Sequence, residues 1–203
     1  YEPFVFGKAR DKDNKETYAR AMKFFIIFTL LAFLVVMGYM DVLRHIIGRD
    51  YWVGLRVVPV VMAGGIMTGV YFNLSFWYKL IDRTIWGAYF SGIGCAVIIG
   101  INVIFVPHYG YIACAWAGFL GNATAMVLSY LVGQRKYPID YPLKSIFTYV
   151  LIGGLFFAII AYSNANFSVP AALGVNTLVI VLFIAHIVYH DLPLAQLRRR
   201  ISK

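Results

Sequence analysis

Six apolar stretches, each about 17 to 23 residues long, contain no Asp, Glu, Lys or Arg, and they limit what this chain can fold into. They cover residues 24–40, 57–78, 85–106, 111–133, 145–162 and 170–189. About 20 helical residues cross a hydrocarbon core. In water, a helix this long would carry a polar stripe, because only one face can be buried. Helices apolar all round belong in lipid. The expected fold class is all-α, a polytopic membrane protein with six transmembrane helices.

The loops orient the bundle. Lys8, Arg10, Lys12, Lys15, Arg20 and Lys23 precede the first stretch. Arg44, Arg49 and Arg56 follow it, then Lys79 and Arg83, then a loop with neither Lys nor Arg. Arg135, Lys136 and Lys144 come next, another such loop follows, and Arg198, Arg199, Arg200 and Lys203 close the chain. On alternate sides this puts all but Arg44, Arg49 and Arg56 together. The excess of Lys and Arg marks the cytoplasmic side, so both ends are expected inside.

Composition agrees: 61% of residues are hydrophobic and only 13% charged, which is too apolar for an ordinary soluble domain. The net charge of +9 does not point to nucleic acid, because the cations gather at the ends of stretches. Anionic membrane lipid is the partner such placement predicts. Cys95 and Cys114 fall inside stretches and read as small packing residues rather than a disulfide.

The expected divisions are a cytoplasmic connection with an amphipathic approach helix (1–23), four transmembrane helices (24–134), a cytoplasmic loop (135–144), a terminal hairpin (145–190) and a basic tail (191–203). Residues 1–6 (YEPFVF) read as the end of a membrane element that began upstream, and no signal peptide precedes the first stretch. Residues 41–51 form a polar external loop with a short interfacial helix. Tight turns are expected at 82–84 and at 107–110, where Pro107 fixes φ and Gly110 allows a left-handed residue. Pro138 and Pro142 make the loop at 134–143 extended.

Little here offers chemistry. His186 and His190 share a helix face, but no third ligand stands at a helical offset, so no metal is assigned. His45 and His108 read as solvated loop residues. No phosphate loop, nucleophile elbow or acidic pair is present, so neither catalysis nor a cofactor is expected. Gly65 and Gly69, four apart, allow close helix packing or sliding, and Pro59 favours a bend near the outer end of its helix. The candidate cavity residues are Arg56, Asn73, Lys79, Asn102 and Asn122, since an amide in hydrocarbon seeks protein or a cavity. Arg56 and Asn73 lie about 100° apart around a continuous helix. No buried carboxylate is present to carry a proton relay, so any coupling must come from elsewhere in the protein.

Several runs resemble bacterial oligosaccharide flippases of the multidrug/oligosaccharidyl-lipid/polysaccharide exporter superfamily. They are NLSFWYKLIDRT (73–84), IFVPHYGYIACAWA (104–117), RVVPVV (56–61) and the opening EPFVFGKARDKDNKETYARAMKFF (2–25). The final hairpin is generic. The resemblance implies the carboxy-terminal six helices of a protein of about 12 to 14, in which two lobes face a cavity and alternate access. It further implies an undecaprenyl-pyrophosphate-linked oligosaccharide as substrate, for surface polysaccharide or lipopolysaccharide biosynthesis at the inner membrane. Membrane lipids, the missing amino-terminal lobe and polysaccharide polymerase machinery are the implied partners. Cationic cavity residues are typical of such proteins, and here only Arg56, Lys79 and Arg83 stand near cavity mouths. The same fold also suits a drug/cation antiporter. A non-transport subunit of a membrane glycan-modifying enzyme would need an acidic or His/Asp pair that this segment lacks.

Overall fold

A computed structural model describes residues 14–191; the stretch at 1–6 and the Arg198–Lys203 cations lie outside that range. Among the described residues there is no strand, and six helices are long and apolar enough to cross a membrane. The chain is a multi-pass membrane protein. The helices are α1 (Asn14–Gly38), α2 (Met40–Leu43), α3 (Val58–Leu74), α4 (Phe76–Leu80), α5 (Ile85–Tyr109), α6 (Tyr111–Lys136), α7 (Leu143–Asn166) and α8 (Val169–Asp191), with a 3₁₀ segment at Arg49–Val57. All six expected spans are present.

The boundaries differ in instructive ways. The polar approach and the first apolar stretch form one helix, α1, because nothing between Asn14 and Gly38 breaks the backbone ladder. Helix α5 runs through Pro107 to Tyr109, so the turn expected at 107–110 shrinks to Gly110, at φ +57°. Pro107 leaves the Val103 carbonyl without its usual donor but does not end the helix, and glycine takes a positive φ without a Cβ penalty. Asp82, at φ 53°, makes the other tight turn. Helix α6 continues to Lys136 and α7 starts at Leu143, leaving a shorter extended loop than the sequence suggests.

The chain divides into two compact units, Tyr1–Ile26 with Val53–Leu143, and Ile27–Trp52 with Lys144–Lys203. In the first, α5 and α6 form an antiparallel hairpin, and α3 with α4 lies against α6. Helices α3–α4 and α6 run parallel. Val53 meets Tyr111, Gly64 meets Phe119, and Trp77 meets Ser129 and Gly133, in the same order along both. A stripe of small residues on α6 makes this possible. Ala113, Ala117, Gly121, Ala125, Ser129 and Gly133 recur every fourth residue and all are buried. Between helices in lipid, close backbone approach supplies dispersion contacts that the hydrophobic effect does not. The start of α1 joins this unit through Tyr18 and Ala19, packed with Phe76 and Ile139.

In the second unit the rest of α1 packs on α7 and α8. Phe33 meets Phe157 with ring centroids 5.1 Å apart, and Leu30 lies against Gly153. Gly38 is confined by Ile180, Asn176 and Ile160. Helix α2 and the turns after it follow. Trp52 ties them together, donating from Nε1 to the Arg44 and Ile47 carbonyls at 3.0 and 3.1 Å. A short helix does stand at the start of the loop expected at 41–51, as Met40–Leu43.

Candidate functional site

The candidate cavity residues of the first unit are strung along its length and do not converge. Arg56 is exposed and lies in the 3₁₀ segment rather than in α3, so its angular offset from Asn73 on a continuous helix does not apply. Asn73 is buried near the other end of α3, where its amide donates to the Gly69 carbonyl at 3.0 Å. Lys79 lies six residues further on, in α4, its ammonium 5.6 Å from the centre of the Phe76 ring. Asn122 stands beside Gly121, where α5 and α6 cross, and is half-buried. Asn102 is two turns along α5 from that crossing, about 12 Å away; its Oδ1 is buried without a partner.

The helix-packing candidates separate as well. Gly69 faces the Phe25 ring, whereas Gly65 has open space and the close approach falls on its neighbour Gly64, against the Phe119 backbone. Pro59 occupies the first turn of α3. A missing N–H costs little at the start of an α-helix, and here the proline stands where the 3₁₀ segment passes into α3. Cys95 and Cys114 are free and exposed on their helices, since the α5–α6 contact is made through Gly94, Gly121 and Ala125. They are not packing residues.

A tighter polar constellation occurs in the second unit, around the end of α1. Asn176 is fully buried on α8. Its Nδ2 donates to the Gly38 carbonyl at 2.9 Å and to Asn164 Oδ1 at 2.7 Å. Asn164, in the last turns of α7, donates from Nδ2 to the Met37 carbonyl at 3.3 Å. Tyr39 Oη and Thr177 Oγ1 are hydrogen-bonded at 2.9 Å beside them. The last carbonyls of a helix have no intrahelical donor, and in hydrocarbon water cannot replace one. Two side-chain amides fill the gap. Asn176 Oδ1 and Ser163 Oγ are themselves buried without partners.

Sequence reading missed this group. Asn176 stands alone in an apolar stretch and Asn164 falls just past another, and nothing in their spacing connects them to Gly38. Only the interruption of helix at a glycine followed by tyrosine marks the place. At the far end of the same hairpin, Tyr149 donates its hydroxyl to Asp191, while its ring meets His186 at 5.4 Å. His186 and His190 do share a face, with rings 4.6 Å apart. Among the described residues no three His, Cys, Asp or Glu side chains gather as a metal site would require.

No family model, curated protein or solved structure matches this chain. What the arrangement offers chemically is neutral: amides, hydroxyls and helix-end carbonyls inside an apolar bundle.

Proposed function

We propose that this chain is the carboxy-terminal part of a flippase that moves an undecaprenyl-pyrophosphate-linked oligosaccharide across the bacterial cytoplasmic membrane by alternating access. The observation that carries the reading is the run NLSFWYKLIDRT at 73–84, which resembles oligosaccharide flippases. In this protein it forms the α3–α4 joint, with Ser75 between the helices and Trp77 seated against α6. Charges kept to helix ends and to the first half of α1, with neutral polar groups elsewhere, suit a wall that slides past a large polar glycan, since a fixed buried charge would trap or repel it. Arg56, exposed at one end of the first unit, supplies a cation for pyrophosphate or sugar acids.

Restoration of surface polysaccharide in a flippase-null strain with a matched glycan tests the reading. The full-length protein is expected to restore it. Arg56→Glu is expected to reduce the transport rate by about ten- to a hundredfold, the loss of one charge-assisted contact. No rescue by the intact, membrane-inserted protein would sink the proposal.

The proposed orientation has its own test. In a Cys95→Ala, Cys114→Ala background, a cysteine at Gly110 is expected to react with an impermeant maleimide from the periplasm. One at Asp82 or Asp140 is expected to react only after the membrane is opened. Labelling of Asp82→Cys in intact cells would reverse the assignment.

A further inference from the structure

We infer that the α1–α2 break is a two-state latch, in which the Asn164 and Asn176 amides hold the helix bent at Gly38–Tyr39 and release lets it run straight into Met40–Leu43. This goes beyond the flippase reading and does not depend on which substrate is carried.

The backbone is only just broken. Tyr39 N–H still reaches the Val35 carbonyl at 3.0 Å, Leu43 N–H reaches Tyr39 at 2.9 Å and Arg44 N–H reaches Met40 at 2.9 Å. All three are the i to i−4 bonds of an uninterrupted α-helix. The departure is local: Val42 N–H turns to the Tyr39 carbonyl at 3.0 Å, and Tyr39 sits at φ −105°, ψ 18°. Of the carbonyls opened by this departure, Met37 and Gly38 are the two that the asparagines occupy. No proline lies in the segment. A break held this way belongs to the class made by side chains inserted into the backbone ladder.

Straightening trades these bonds almost one for one. The Gly38 carbonyl returns to Val42 N–H and the Met37 carbonyl to Asp41 N–H. Asn164 Nδ2, released from Met37, can then donate to Asn176 Oδ1, which the bent state leaves buried and unpartnered. Both states give the Met37 and Gly38 carbonyls a donor. A small free-energy difference between them follows, and a small difference is what a bistable element requires.

Spin labels at Phe28→Cys and Val42→Cys, both exposed positions, report the bend in the whole protein in nanodiscs without Cys95 and Cys114. Fourteen residues of straight α-helix place these positions about 21 Å apart. The wild type is expected to show two populations, a major shorter distance and a minor one near 21 Å. Asn164→Leu with Asn176→Leu removes both amides and is expected to leave only the longer. If that pair does not fold, Asn164→Leu alone is expected to enlarge the minor population. A single short distance in the wild type overturns the latch, and so does a folded leucine pair with an unchanged distribution.

Discussion

Trp77→Ala is expected to destabilise the first unit by about 3–5 kcal/mol, as large-to-small changes at packed aromatic sites do. Trp77 is only 2% exposed although it is the largest side chain of α4. Its ring lies 5.3 Å from Tyr78 and 6.3 Å from both Trp86 and Phe90, so one truncation opens a cavity bordered by three aromatics. Its Nε1–H donates to Ser129 at 3.4 Å, and the indole covers Gly133, whose missing side chain makes the room. The cost comes mainly from lost dispersion contacts, since lipid offers apolar surroundings on either side of unfolding. Trp77→Phe keeps much of the ring and is expected to cost less than half as much. Titration of SDS into mixed micelles measures both. Equal, sub-kcal effects would show that the joint is not the packing centre of this unit.

The spans were legible because their signal is local. Length and the absence of charge identify a lipid-crossing helix one at a time, without knowledge of its neighbours. The Gly110 turn was legible for the same reason. Which helix faces which was not. Hydrophobic periodicity normally shows the buried face, but a helix surrounded by lipid and protein is apolar on every side. Gly65 and Gly64 are equally good small residues in the sequence, and only the position of Phe119 distinguishes them. The asparagine group shows the limit more sharply. Its three segments, at Gly38, Asn164 and Asn176, are brought together by the packing of α1 on α7 and α8, which no local pattern encodes. The small-residue stripe of α6 stands in the sequence at four-residue spacing, but small residues recur throughout these spans, and only the packing of α3 and α5 on α6 singles out this row.

That stripe makes the second large prediction. Gly121→Leu is expected to separate α5 from α6 and to cost at least about 1–3 kcal/mol, the usual range for overpacking. A β-carbon at Gly121 would stand 2.7 Å from the Gly94 carbonyl oxygen and 2.9 Å from Ile98 Cδ1. Ile98 can rotate away, but the carbonyl belongs to the helix backbone and cannot move without α5. The contact is reciprocal: a β-carbon at Gly94 would lie 2.9 Å from the Gly121 carbonyl and 3.2 Å from Ala125. Gly94→Leu should therefore match Gly121→Leu, and the double variant should cost less than their sum, because the first substitution already parts the helices. Gly65→Leu is the control: a β-carbon there would meet nothing within 4 Å and the position is exposed, so only a small change is expected. SDS titration of the four proteins decides the matter. A Gly121→Leu midpoint equal to that of Gly65→Leu would mean that the α5–α6 hairpin does not depend on glycine contact.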